Sequence, residues 1–261
     1  AFLRIGVPAA AVVALGVWYF GNEDNREAIF DKYAEIRSSI EGRPEFMVQL
    51  MAIDGASVEI DQDIREIVPV DFPVSSFDLD LEGMRARIEE LDAVARVSLQ
   101  IRNGGVLQVN IRERVPAIVW RSDEGLDLLD AKGHRVASIA RRADRSELPL
   151  VTGAGAGDHV AEALAIFAAA EPIAGRVRGL VRIGERRWDV VLDRDQRILL
   201  PELNSTDALQ QVMALQRAQD LMERDLVIVD MRNKDRPTLR MAAPAVEELR
   251  RIKDIRPGAD G

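Results

Sequence analysis

Residues 94–120 read VARVSLQIRNGGVLQVNIRERVPAIVW, and two patterns of chain organisation meet there. Val94 to Ile101 alternates apolar and polar side chains, Asn103-Gly104-Gly105 supplies turn residues, and Val106 to Ile111 alternates again. That spacing predicts a β-hairpin. On its N-terminal side, Phe46 to Ile53 reads as a strand ending in the Asp54-Gly55 turn. Val58 to Val68 and Leu81 to Leu91 then carry helical spacing, with Asp80 as an N-cap. A Pro- and Ser-bearing loop, VDFPVSSFD, separates the two helices. The order β-α-α-β-β over residues 46–116 predicts a compact small domain.

Beyond Pro116 the pattern changes to many short strands. They are expected at Ala117–Trp120, Leu126–Leu129, Arg135–Ile139, Leu148–Val151, Leu180–Ile183, Trp188–Leu192 and Arg197–Leu200. Helices are expected at Asp158–Ala170 and Thr206–Met222. Two last strands, Leu226–Met231 and Thr238–Met241, flank the polar turn RNKDR. The fold class is therefore α+β, with a mixed antiparallel β domain and flanking helices over 117–243, followed by a charged tail, 244–261.

At the other end, Ile5 to Phe20 carries no charge. A helix over residues 1–21 would reach about 31 Å, enough for the core of a bilayer. Arg4 can snorkel at one end, and Trp18, Tyr19 and Phe20 form an interfacial anchor at the other. Those bulky aromatics stand where a signal peptide would need small residues for cleavage, so a retained single transmembrane helix is expected. Arg4 before the span, and Glu23, Asp24 and Glu27 after it, predict a cytoplasmic N-terminus, and a cytoplasmic tail is expected to precede Ala1. Residues 22–45 read as a juxtamembrane helix and linker, with Ile29, Tyr33, Ile36 and Ile40 at helical spacing before Gly42 and Pro44.

The 261 residues hold 35 basic and 44 acidic side chains, a net charge of −9, which argues against nucleic acid as a partner. The absence of cysteine excludes disulfides, thiolate metal sites and thiol catalysis. His134 and His159 are too few for most histidine-based clusters, and neither has a motif partner. Asp78, Asp80, Glu82, Gly83 and Glu89 nearly spell a calcium loop. Glu82 is wrong at its fifth place, and Pro69 and Pro73 break the helix that should enter it. Gly153-Ala154-Gly155-Ala156-Gly157-Asp158 follows a strand and opens a helix, as a phosphate turn would. Asp158 replaces the last glycine, however, and no parallel β-α-β unit is expected around it.

The pairs Asp61/Asp63 and Asp193/Asp195 could supply carboxylates for glycoside chemistry, but two carboxylates alone are found everywhere. Asp193-Arg194-Asp195-Gln196 reads better as a hairpin turn. Arg186-Arg187 before Trp188 reads as cation–π cover at a strand edge. No catalytic constellation, cofactor, metal or small-molecule substrate is expected. The rival is a membrane-anchored periplasmic cell-wall enzyme, which needs a constellation of carboxylates or a serine in a cleft.

The β-α-α-β-β unit beside a single span resembles a POTRA module. The resemblance is carried by Ile53-Asp54-Gly55-Ala56-Ser57, Phe77-Asp78-Leu79-Asp80-Leu81 and Leu91-Asp92-Ala93-Val94-Ala95-Arg96-Val97. Glu113-Arg114-Val115-Pro116-Ala117-Ile118-Val119-Trp120 resembles the junction between the POTRA and β domains of the FtsQ/DivIB family of bacterial cell-division proteins. Leu129-Asp130-Ala131-Lys132-Gly133, Leu148 to Gly153, Arg187 to Leu192 and Val229-Asp230-Met231-Arg232 resemble later landmarks of that family, in order, out to about Ala243. Arg240 and Met241 depart from it, standing where some relatives place small and aromatic residues.

The resemblance implies a non-enzymatic divisome scaffold of the inner membrane. It implies a single-pass chain with its bulk in the periplasm, enriched at the septum and helping to regulate septal peptidoglycan synthesis. Its implied partners are an FtsB–FtsL coiled-coil pair and other septal membrane proteins. The residues offered for such a partner are Thr238, Leu239, Arg240 and Met241 on the last strand, with Pro237 at its start. Pro237 suits an edge, and the unpaired main-chain groups of an edge accept an added strand. Arg232, Asn233, Lys234 and Arg236 form the preceding turn, whose basic residues suit acidic partner side chains.

Overall fold

A computed structural model of the protein describes Lys32, residues 43–233 and residues 236–255. The apolar run with Trp18, Tyr19 and Phe20 lies outside the described residues, as does most of the helix expected over 22–41. Among the described residues no helix is long and apolar enough to cross a membrane. The chain divides into two compact units. The boundary falls between Arg112 and Glu113, with residues 92–94 grouped with the second unit.

The first unit contains β1 (Met47–Val48), β2 (Leu50–Asp54), α1 (Val58–Ile67), β3 (Val74–Ser75), α2 (Leu81–Glu89), β4 (Val94–Arg102) and β5 (Val106–Glu113). β2, β5 and β4 form a three-stranded sheet in that order, with β2 parallel to β5. Each helix buries one apolar face. Ile60 and Ile64 of α1, and Met84 and Ile88 of α2, are buried with Val97, Leu107 and Val109. Asp80 caps α2, its carboxylate accepting from the Gly83 N–H at 2.9 Å, so the central residue of the calcium-like string is occupied in building a helix.

The strand expected over Phe46–Ile53 is in fact two. β1 leaves the sheet to pair antiparallel with β3, inside the segment read as a loop. Between them the Gln49 N–H donates to the Gly105 carbonyl at 2.7 Å. Gly105 is required there: its φ is +71°, and a Cβ would lie 2.3 Å from the Met47 carbonyl oxygen.

The second unit contains β6 (Ile118–Arg121), β7 (Leu126–Leu129), β8 (Arg135–Ile139), β9 (Leu150–Thr152), α3 (Val160–Ala169), β10 (Val177–Ile183), β11 (Arg187–Leu192), β12 (Arg197–Leu199), α4 (Ser205–Gln219), β13 (Leu226–Asp230), β14 (Thr238–Met241) and α5 (Ala243–Ile255). Its strands form one nine-stranded sheet, ordered β14-β13-β12-β11-β10-β9-β6-β7-β8. The sheet is mixed. β9 runs parallel to β10, β12 to β13 and β6 to β9, and the other neighbours are antiparallel. α3 and α4 are the crossovers of the first two parallel pairs.

The Gly153–Asp158 loop therefore does sit in a β-α-β unit, contrary to expectation. β9 has only three residues, too few for periodicity to betray its pairing direction. The loop is still no phosphate cradle. A Cβ on Gly153 would lie 2.4 Å from the Arg182 carbonyl oxygen, and Gly157 lies against the Trp120 ring. Its glycines serve close packing, and a carboxylate side chain, Asp158, stands where the last glycine of a phosphate turn would be.

One face of the sheet, with α3 and α4, holds the main core: Val151, Leu180, Trp188, Val190 and Ile198 buried with Ile166, Leu209 and Val212. A smaller cluster, Val119, Leu128 and Val136, gathers at the β6–β8 end. Trp188 is wholly buried on a central strand, not at an edge. The cation over its ring is Arg182, at 4.9 Å from the centroid, not Arg186 or Arg187. Arg182 is itself buried and held by Glu162 at 3.1 Å, an ion pair that fixes α3 to β10.

Candidate partner-binding edge

Pairing register places each residue of β14 at the end of a row that crosses the sheet. Leu239 lies opposite Val229, which lies opposite Ile198, then Val190, Leu180 and Val151. Those five partners are 0–3% exposed, whereas Leu239 is 48% exposed. Met241, opposite the buried Leu226, is 38% exposed on the same face. The apolar layer thus runs to the sheet's last strand and ends there half exposed. Among the described residues β14 pairs with β13 alone.

The main chain of β14 has a definite polarity. The Ala242 N–H donates to the Asp225 carbonyl at 2.8 Å, toward β13. Inward and outward groups alternate along an antiparallel ladder, so Arg240 and Thr238 also face β13, and Leu239 and Met241 present their N–H and C=O outward. Pro237 falls at an outward position, where its missing N–H costs β13 nothing. The irregularity of this pairing lies on β13, between Leu226 and Ile228, and leaves β14 continuous.

The turn before β14 is arranged differently from its sequence. Arg232 is already engaged. Its main-chain N–H and Nε donate to Asp230 at 3.0 and 2.9 Å, and Nη2 donates to the second carboxylate oxygen at 2.6 Å. These bonds hold the Asp230 carboxyl below its ordinary range and raise the Arg232 guanidinium. Arg232 thus clamps the end of β13 while its side chain stays about half exposed. The Asn233 carbonyl accepts from the Arg236 N–H at 3.2 Å, closing the turn. Lys234 lies outside the described residues. Arg236 and Arg240 are exposed and make no ion pair among the described residues.

The opposite face of this end of the sheet carries charge. One row runs Arg240, Ile228, Arg197, Val191; the next runs Thr238, Asp230, Leu199, Asp189, Val181. Asp189 is 4% exposed, and burial pushes its carboxyl up, against the pull of Arg187 and Arg197. Its Oδ1 lies 3.6 Å from Arg187 Nε, too far for a hydrogen bond.

The other titratable groups singled out from sequence are dispersed. His134 Nδ1 lies 3.2 Å from Asp130, Asp61 pairs with Arg65 at 2.8 Å, and Asp193 pairs with Arg176 at 2.9 Å. Among the described residues no three His, Cys, Asp or Glu side chains are grouped as metal ligands would be. A cavity of about 500 Å³ beside α4, lined by Leu203, Asn204, Asp207, Gln211 and Met231 among others, contains a single carboxylate and no base to partner it.

Residues 118–232, from the start of β6 through β13, match the family model of the cell division protein FtsQ/DivIB, C-terminal. The chain is 48% identical to the cell division protein FtsQ of Roseobacter litoralis over 97% of its own length and 87% of the relative's. It is 50% identical to that of Dinoroseobacter shibae, over 98% and 86%. To the FtsQ of Rhizobium meliloti it is 27% identical, over 92% and 75%. This chain belongs to the FtsQ/DivIB family. Its role is accordingly in bacterial cell division, as part of the divisome. The family-model match ends at Arg232, just before β14, so the physical features of the edge stand on their own geometry.

Proposed function

We propose that this FtsQ-family chain is a non-enzymatic scaffold that recruits an FtsB–FtsL pair to the septum by adding a partner strand to β14. In this reading residues 1–21 are a single inner-membrane span with a cytoplasmic N-terminus, and Trp18, Tyr19 and Phe20 anchor it. Residues 46–116 are a POTRA module, which contacts other septal membrane proteins, and residues 117–243 are the partner-binding β domain. Recruitment of the pair is how it helps regulate septal peptidoglycan synthesis.

The observation that carries the reading is the end of the Val151-to-Leu239 row. A buried apolar layer terminates in an exposed leucine whose own N–H and C=O face away from the sheet. An added strand satisfies those groups and covers Leu239 and Met241 in one step. Arg232 belongs to the internal support of the edge through Asp230, and Leu239 and Met241 supply the contact.

The test is co-purification of the full chain with the FtsB–FtsL-like pair of the same cell, native beside Leu239→Pro. Proline at 239 removes an outward donor and leaves the bonds to β13. A main-chain hydrogen bond lost from the complex costs about 1–3 kcal/mol, which weakens binding about 5- to 150-fold. Loss of the pair from a variant that melts like the native chain is the expected result. Undiminished binding would move the interface elsewhere. No binding by the native chain would overturn the scaffold reading and return attention to a cell-wall activity.

A further inference from the structure

The charge around β14 says what kind of strand fits it. Arg240 stands on the face opposite Leu239 and Met241, at the end of the row that continues through Ile228 to Arg197. Both arginines are exposed, and neither makes an ion pair among the described residues. Arg232 is taken by Asp230, and Asp189 and Asp230 lie in the neighbouring row. The edge of the Arg240 row is thus a local positive strip on a chain of net charge −9.

For an antiparallel incoming strand, Leu239 and Met241 occupy hydrogen-bonded pairs, because their main-chain groups point outward. Arg240 between them occupies a non-hydrogen-bonded pair, where opposed Cα atoms approach to about 4.5 Å and side chains meet most closely. We infer that the strand received by β14 carries a carboxylate opposite Arg240, flanked by two apolar residues opposite Leu239 and Met241. This rests on the strand-addition reading, and it adds a register. The apolar pair extends the buried layer, and the acid extends the charged face. A strand slipped by one residue would set an apolar side chain against Arg240 and a carboxylate over the exposed leucine. Arg240 is in this sense the residue that fixes register and partner choice, and Leu239 the one that supplies the bond.

The experiment measures the dissociation constant of the full chain for the purified FtsB–FtsL-like pair in low and high salt. The native chain is compared with Arg240→Gln, Arg240→Glu, Leu239→Pro and, at the far edge of the sheet, Arg135→Glu. Arg240→Gln is expected to weaken binding about 2- to 5-fold, the range of a partly exposed ion pair. Arg240→Glu is expected to weaken it further, and both losses should shrink in high salt. Arg135→Glu makes the same change of net charge and should leave binding as it is. If Leu239→Pro abolishes binding while both Arg240 variants bind as the native chain does, strand addition stands and the carboxylate opposite Arg240 is refuted. If Arg135→Glu weakens binding as much as Arg240→Glu, the effect belongs to overall charge and the inference again fails. If Leu239→Pro binds normally, it is the strand-addition reading itself that falls.

Discussion

The nine-stranded sheet has two ends, and they are finished differently. At one end β8 turns Val136 into a small cluster with Val119 and Leu128. Its polar residues satisfy one another: Ser138 Oγ donates to Asp127 at 2.5 Å, and Arg135 donates to Asp127 and to Ser138 at 3.2 and 2.8 Å. At the other end β14 leaves Leu239 and Met241 half exposed and Arg240 without an ion pair among the described residues. Both strands are short and both have one neighbour. The difference lies in the side chains. The side chains of β8 are paired with one another, whereas β14 carries an apolar face and a cation that no described residue answers. A protein that must avoid edge-to-edge association closes its edges, so the open one is informative.

The largest expected effect removes what the two ends share. Trp188→Ala deletes a wholly buried ring from the middle of the sheet and uncovers the guanidinium of Arg182. The expected loss is about 3–5 kcal/mol of stability, read as a lowered denaturant midpoint. Partner binding should fail with it, since both edges depend on the same core. Leu239→Pro comes next and separates the ends: about 1–3 kcal/mol of binding is lost with little change in melting. At the closed end, Ser138→Ala should cost about 1 kcal/mol of stability, the scale of a net hydrogen bond, and leave partner affinity as it was. If Ser138→Ala weakened binding as Leu239→Pro does, the contrast between the ends would be lost.

Legibility from sequence followed the length of the pattern. The hairpin 94–111, both helices of the first unit and the position of Thr238–Met241 all emerge from alternation, spacing and turn residues. β3, at two residues, left no periodic trace, and neither did the parallel pairing of β9 and β12, at three residues each. Part of the candidate site was legible in the same way: that Leu239 and Met241 share a face is a property of any strand. That their main-chain groups point outward depends on register with β13, which no local pattern encodes. The internal bond of the basic turn is hidden for a related reason. That Arg232 bonds to Asp230, two residues earlier, is not encoded in any local pattern.

The smallest effect compares two carboxylates in one cross-sheet row. Burial raises the Asp189 pKa, so the native state binds its proton more tightly than the unfolded chain does. Its contribution to stability therefore falls as pH rises between the unfolded and folded values. Asp230 is shifted the other way by Arg232, so its contribution is present above the unfolded pKa and lost as pH falls through the folded one. Asp189→Asn should raise the melting temperature at neutral pH, with the gain fading in acid. Asp230→Asn should lower it at neutral pH, with the loss fading in acid. Melting curves across pH check both signs.

The central claim concerns two main-chain donors, and amide hydrogen exchange reads them directly. With the full chain alone, the Leu239 and Met241 amides should exchange rapidly, while those of Thr238 and Arg240, turned toward β13, are slowed. On addition of the FtsB–FtsL-like pair, Leu239 and Met241 should become protected. Binding that leaves those two amides exchanging at their free rate would contradict strand addition at β14.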